Sequence, residues 1–458
     1  MSSDARELLK RFASPAVRRG PELDALVRDA VFGEPAVRDR ARWLIWEIGQ
    51  QAGVRPASIH EPYLARGRGE VPPFTTPAMN IRVLAYDAGR AIFRAARRLD
   101  AGAVICEIAR SEIAYTDQRP AEYVAVMIAA ALREGFDHPI FIQGDHVQVN
   151  AKKYAADAEA ELTAIRALIE EELHAGFYNI DVDTSTLVDL SQQTLDAQQR
   201  VNYERAAELT RFIRQRQPAG VTVSVGAEIG EVGGKNSDVH ELQAFMDGYQ
   251  RTLERLGCRP GISKISVQTG TSHGGVVLPD GSIAKVQLDL DALKALSRDA
   301  REKYHIGGAV QHGASTLPPD AFGQFPKCEA VEIHLATNFQ TIVLDHPALP
   351  APLRAELNDW VKRECADERK KGDTEEQFIY KSRKKAIGPF KRRLWDLPEE
   401  IRARLGADLE KTFAFLFEQL RVAGTRAATD RFVRPPLDSH AAPRAVAVAA
   451  PDDMEAGE

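Results

Sequence analysis

Between residues 75 and 335 the chain repeats one pattern: a short apolar run, then a longer stretch whose apolar positions recur at helical spacing. Eight apolar runs fall at 75–81, 103–108, 139–144, 177–183, 221–228, 263–269, 307–312 and 329–335. The stretches 84–98, 120–135, 151–175, 194–216, 239–257 and 290–304, with a short one at 318–325, carry the helical period. Short apolar runs bounded by turn residues predict buried strands, and the longer periodic stretches predict amphipathic helices. Eight strand–helix alternations predict an α/β fold, a (β/α)₈ TIM barrel. An open doubly wound sheet is the competing arrangement of the same elements.

The flanks follow a different pattern. Residues 1–72 predict a helical N-terminal extension, with Leu23, Leu26, Val27 and Val31, then Trp43, Leu44, Trp46 and Ile48, on apolar stripes before the Pro72-Pro73 break. The barrel is expected over 73–345. After His346-Pro347 the strand signals stop, and 346–434 predicts a helical C-terminal cap. Helices are expected at 351–370 and 398–422, the second striped by Ile401, Leu405, Leu409, Phe413, Leu416 and Leu420. A basic segment, Tyr380 to Arg393, lies between them. From Pro435 to Glu458 the chain is rich in Ala and Pro and ends acidic, so 435–458 is expected to be a disordered tail.

Composition narrows the partners. The 458 residues are 44% hydrophobic and 28% charged, with a formal charge of -6, which leaves no basic footprint for nucleic acid. No apolar stretch approaches the ~18 residues of a membrane span, and Met-Ser-Ser-Asp-Ala-Arg-Glu has no apolar core of a secretory signal. Cys106, Cys258, Cys328 and Cys365 stand singly, which reads as unpaired thiols in a reducing cytoplasm.

The chemistry sits at the strand ends. Three runs close on a histidine: His146 after Gly144-Asp145, His273 before Gly274-Gly275, and His312 before Gly313-Ala-Ser315. Parallel barrel strands bring their C-terminal ends onto one face, and three imidazoles converging there would make a catalytic zinc site with an open position. A single strand-end histidine is ordinarily just a hydrogen-bonded polar residue; the repetition beside glycine turns points to metal. His60, His138, His174, His240, His305 and His346 lack that setting and read as surface or packing residues. Asp181, Asp183 and Glu228 add carboxylates at two further strand ends, as ligands or bases beside a histidine cluster. Glycine turns after strands also expose backbone N–H groups that can cradle a phosphate.

In their order, these motifs resemble one family. Pro77-Ala-Met-Asn80-Ile81, Gly144-Asp-His146, Val182-Asp-Thr-Ser185, Ala227-Glu-Ile-Gly-Glu-Val-Gly-Gly234, Ser272-His-Gly274, His312-Gly-Ala-Ser315 and Thr337 are similar to the class II, zinc-dependent fructose-bisphosphate aldolases. The resemblance covers about 74–340 and extends weakly through Lys384-Lys385 and Arg393-Leu-Trp395; Val276 to Ser282 resembles an insertion of the longer-chain members. It implies that His146, His273 and His312 hold Zn²⁺, with Glu228 as a further ligand and Asp183 near a second metal position. Asp145 would be the acid/base on the hydroxyl of the breaking carbon–carbon bond. Gly274, Gly313, Ser315 and Thr337 would hold a substrate phosphate, with Asn80 and Arg393 as further substrate contacts. The implied activity is reversible cleavage of a ketose phosphate, by default fructose 1,6-bisphosphate, to dihydroxyacetone phosphate and an aldehyde. The protein would act in the cytoplasm as a homodimer or higher homo-oligomer.

Departures from the family fall on the substrate side. Asn236 stands where the family's loop glutamate moves a proton on carbon, and an amide cannot be a general base. Asp238 is the expected replacement and Glu231 the alternative; the plain reading of Asp238 is the cap of a helix beginning near Val239. The family's NxDT strand reads His334-Leu-Ala336-Thr337, and Ala109 replaces a phosphate-binding serine. Three other readings follow: an aldolase for a different sugar, a paralogue that binds metal without turnover, and a zinc hydrolase in which the phosphate-type turns would be idle.

Overall fold

The computed structural model describes residues 3–230, 236–270 and 288–443. Eight parallel strands form the centre: β1 (Thr76–Asn80), β2 (Ile105–Ala109), β3 (Ile140–Gln148), β4 (Asn179–Asp183), β5 (Ser224–Glu228), β6 (Lys264–Val267), β7 (Ala309–Gln311) and β8 (Glu332–Leu335). Each pairs with its neighbours in chain order, and β8 returns to β1 with Thr76 opposite Glu332 and Ala78 opposite His334. The sheet therefore closes into a (β/α)₈ barrel, which excludes the open doubly wound arrangement. All eight strands lie where apolar runs predict them, and seven are buried along their whole length; the exception is β3, which is partly exposed at His146 and Gln148 where its C-terminal end reaches the surface.

The strands' N-terminal ends are plugged by helix His60–Gly67, whose Tyr63 hydroxyl donates to Glu332 inside the barrel. An added two-residue strand, Pro56–Ala57, pairs with Ile140 and Phe141 at that end.

The flanking helices are not separate modules. Helix Pro35–Ala52 is buried from Trp43 through Gln50 and packs on barrel helix Pro120–Arg133. Helix Glu399–Gln419 lies along barrel helix Ala85–Arg98 and buries Leu405, Leu409, Phe413 and Leu416, as its stripe predicts. One correction concerns the tail. Residues 435–443 are not disordered: they run along helix Pro35–Ala52, where Trp43 Nε1 donates to the His440 carbonyl (2.9 Å) and Trp46 Nε1 to that of Asp438 (2.6 Å). The His440 ring stacks on Trp46 at 4.4 Å. Indole N–H groups need partners when buried, and a polar, Ala/Pro-rich segment can supply carbonyls, which composition does not reveal. Residues 444–458 lie outside the described set.

Shared burial of cap and barrel has a measurable consequence. Phe413 is fully buried with its ring 4.8 Å from that of Phe339. Phe413→Ala should cost about 3–5 kcal/mol and shift one cooperative urea transition followed by circular dichroism. A separate, earlier transition confined to a quarter or less of the signal would show instead that the cap unfolds independently.

Candidate active site

The site is built on an irregularity in β3. Opposite β4, Gly144 pairs with Ile180 and Val147 with Val182, so Asp145 and His146 together face the single residue Asp181. This is a β-bulge, and His146 takes the left-handed conformation (φ +42°) that such a kink requires. Consecutive strand residues normally point to opposite faces. Here the bulge lets Asp145 and His146 both line one cavity of about 770 Å³ at the strands' C-terminal ends. Gly144 is needed just before it, because a Cβ there would lie 2.6 Å from the Glu172 carboxylate on the helix behind.

Two of the three expected histidines meet in this cavity. The His146 and His312 rings, from β3 and the end of β7, have centroids 4.2 Å apart. His146 Nδ1 is 3.0 Å from Asp183 Oδ2 and 3.5 Å from Glu228 Oε2, and His312 Nε2 is 2.9 Å from Ser266 Oγ. Orienting a ligating imidazole through its other nitrogen is the usual role of such partners. Asp183 is well occupied, since it also accepts from Gln148 Nε2 (2.6 Å) and from the Ser185 amide and hydroxyl. It therefore holds His146 in place. His273 and Gly274 lie outside the described residues.

The donor set suits a divalent cation. Ligand atoms of Asp145, His146 and His312 lie within 4.8 Å of one another, as do those of His146, Asp183 and Glu228. Imidazole and carboxylate together on a barrel face match a catalytic rather than a structural site. Electrostatics agree. Burial, with Asp183 nearby, pushes the Glu228 carboxyl well above the usual range, and His146 only partly offsets it. A bound cation would reverse that balance.

Asp145 is held from two sides. Asn80 Nδ2 donates to its Oδ2 at 2.8 Å, and His334 Nδ1 lies 2.9 Å from its Oδ1. Burial alone would raise this carboxyl, but His146, His334 and His312 outweigh it and keep it well below its ordinary range. His334 continues a column of buried charge along the barrel axis. Its Nδ1 is 3.2 Å from Glu107 and its Nε2 2.6 Å from Glu332, which also receives Lys264 Nζ at 2.5 Å. Lys264 reaches Asp181 at 2.9 Å as well. Burial lifts Glu107 to about 8 and Asp181 to about 6, whereas Lys264 and His334 overcome burial at Glu332 and lower it to about 2.

The sequence marks His334 only as an altered phosphate position and gives Glu107, Lys264 and Glu332 no role. The available signal was a charged residue inside an apolar strand run. Glu332 and His334, two apart in β8, must face the same way.

The remaining expected residues divide. Gly313 (φ +70°), Ser315 and Thr337 line the cavity; Ser315 Oγ accepts from the Ala336 amide at 2.6 Å, just before helix Thr337–Leu344. Arg393 is not in the cavity. It is half-exposed, pairs with Glu356 and lies over the Phe390 ring. The cap instead brings Tyr380, Lys381 and Lys384 to the rim, beside Arg82, Arg110 and Lys153. Gly388 lets the cap approach helix Arg110–Thr116, donating to the Tyr115 carbonyl at 3.0 Å where a Cβ would sit 2.7 Å from that oxygen. Burial, with Arg82 close by, lowers the Lys384 ammonium.

Asp238 is also elsewhere: its carboxylate accepts from the His240 and Glu241 amides and caps helix Val239–Arg255, and Glu241 closes a capping box. The plain reading of Asp238 holds, because Asp-x-x-Glu before an apolar stripe is itself a helix start. Asn236 Nδ2 lies 3.5 Å from Asp289, and Glu231 is outside the described residues.

No curated protein matches the chain. Among solved structures, a probable tagatose 6 phosphate kinase from Sinorhizobium meliloti 1021 is similar at 18% identity, over 77% of this chain and 100% of that one, with a TM-score of 0.54. That likeness concerns the fold alone. A fructose-bisphosphate aldolase from Campylobacter jejuni (16% identity, 82% and 96% covered, TM-score 0.48) and a fructuronate-tagaturonate epimerase from Cohnella laeviribosi (13%, 81% and 85%, 0.47) are more distant in shape. At the level of sequence, the profile of the fructose-bisphosphate aldolase class-II family matches residues 73–391. That span takes in every barrel strand, the Asp145–His146 bulge and the cap segment bearing Lys384, and on this match the chain belongs to the class-II fructose-bisphosphate aldolase family.

Proposed function

We propose that the protein is a zinc-dependent aldolase that makes and breaks a carbon–carbon bond in a ketose phosphate, with fructose 1,6-bisphosphate as the first substrate to test. The observation that carries this reading is the β3 bulge, which sets a carboxylate, Asp145, beside an imidazole, His146, in one cavity. His146 and His312 would hold the metal with His273, and Glu228, 3.5 Å from His146 Nδ1, is a further candidate ligand on the other side of that ring. When bound, the ion supplies a Lewis acid for the charge that appears beside the substrate carbonyl as the bond breaks.

The chain's own groups do the rest. Asp145, kept ionised and oriented from two sides, takes the proton of the hydroxyl on the carbon being released and returns it in synthesis. Gly313, Ser315 and the start of helix Thr337–Leu344 offer N–H and hydroxyl groups to one phosphate. Arg82 is already neutralised by Glu112, and Arg110 by Glu161; Lys384 has no carboxylate partner among the described residues and suits the other anionic end. A metal-binding paralogue without turnover is the second reading, favoured by Asn236 together with the commitment of Asp238 to its helix cap.

Two measurements separate these. The purified protein should carry about one divalent ion per chain by elemental analysis, and His146→Ala or His312→Ala should each empty the site with circular dichroism unchanged. Full occupancy in both variants would remove the metal assignment. Asp145→Asn should keep the metal but lower cleavage of fructose 1,6-bisphosphate, read as released triose phosphate, by ~10²–10⁴. A metal-replete parent that cleaves neither this sugar nor a panel of ketose phosphates would favour the paralogue.

A further inference from the structure

We infer that His334 is a positioning residue for Asp145, fixing the direction in which that carboxylate faces the substrate. The inference rests on the aldolase reading only for the name of what Asp145 does; the geometry stands without it. Asp145 lies in a bulge, where the regular ladder gives its side chain least support. Its two oxygens are held from different strands: Oδ2 by Asn80 of β1 and Oδ1 by His334 of β8. His146 Nε2, at 3.9 Å, is too far to share in this.

His334 is itself immobilised. Its Nε2 lies 2.6 Å from Glu332 Oε1, Glu332 is held by Lys264 and by Gln143 Nε2 (3.0 Å), and the ring is stacked on His312 at 4.1 Å. Both ring nitrogens are thus turned to protein carboxylates. The imidazole has no nitrogen left for a substrate and acts through Asp145. The barrel axis becomes a rigid post, from Lys264 through Glu332 and His334 to the acid/base.

Asparagine and glutamine divide the two contacts. An asparagine amide nitrogen reaches about as far as Nδ1 and can still donate to Asp145; a glutamine amide nitrogen reaches about as far as Nε2 and can still donate to Glu332. The test uses full-length His334→Asn and His334→Gln, with metal content, melting temperature, crystal structure and kinetics on fructose 1,6-bisphosphate. Positioning predicts that His334→Gln loses ~10–10² more in kcat than His334→Asn, with KM shifting less, because about an ångström of misplacement is enough for such a loss. Stability should rank the other way, since His334→Asn breaks the link to Glu332. In the crystals Asp145 should keep its place in His334→Asn and turn away, or occupy several conformers, in His334→Gln.

An unmoved Asp145 in His334→Gln overturns the inference. So does a kcat that simply follows melting temperature, or loss of metal from His334→Gln at parent-like stability, which would mean that His334 acts through His312. If the parent cleaves no fructose 1,6-bisphosphate, that counts against the aldolase reading, and the position of Asp145 in the two crystals still decides this one.

Discussion

The bulge in β3 is the constraint on which the site depends. A regular strand would send Asp145 and His146 to opposite faces, one into the barrel mouth and the other into the helical layer. Two residues opposite one break that alternation, at the cost of a left-handed backbone at a non-glycine residue. The cost is borne by what surrounds it. Gly144 lets the helix behind approach, Asn80 and His334 hold Asp145, and Asp183 holds His146. Strain of this kind persists only where neighbours over-determine it.

Below the bulge, the barrel interior carries charge instead of the usual layers of branched apolar side chains. Glu107, Asp181, Glu332, Lys264 and His334 are all removed from solvent. Buried ions are tolerated when paired and hydrogen-bonded, and Lys264 meets this condition by bonding Gln143, Asp181 and Glu332 at once. Tyr63, from the helix that plugs the lower end, completes the coordination of Glu332. Asp145, His146 and His312 therefore stand on a polar framework, in which movement of one member disturbs several hydrogen bonds.

The outer helices contribute to the same cavity. The C-terminal cap is fused to the barrel through helix Glu399–Gln419, and its shorter segments reach over helix Arg110–Thr116 to bring Tyr380 and Lys384 to the rim. The N-terminal helices pack on the neighbouring barrel helix Pro120–Arg133 and meet the cap, with the Phe32 ring edge-on to Trp395 at 5.4 Å, and residues 435–443 are laid across Trp43 and Trp46. Both ends of the chain thus serve one continuous core.

The barrel is legible in the residues alone. Its eight apolar runs became eight strands, because strand and helix periods are local properties of side-chain spacing, and the glycines Gly144 and Gly313 fall at the cavity ends of β3 and β7. Legible too are the adjacency of Asp145 and His146 and the apolar stripe of helix Glu399–Gln419. Tertiary structure decided the rest. That Asp145 and His146 share a face depends on pairing with β4, which no local pattern encodes. His334 meets Asp145, 189 residues earlier, only because β8 closes onto β1. Arg393 and Lys384 carry the same charge in one basic segment, and only the packing of the cap sends one to the surface and the other to the cavity. Asp238 could face the cavity or cap a helix, and two backbone amides decided for the cap. Periodicity specifies which way a residue faces within its own element; closure of the barrel specifies what it meets.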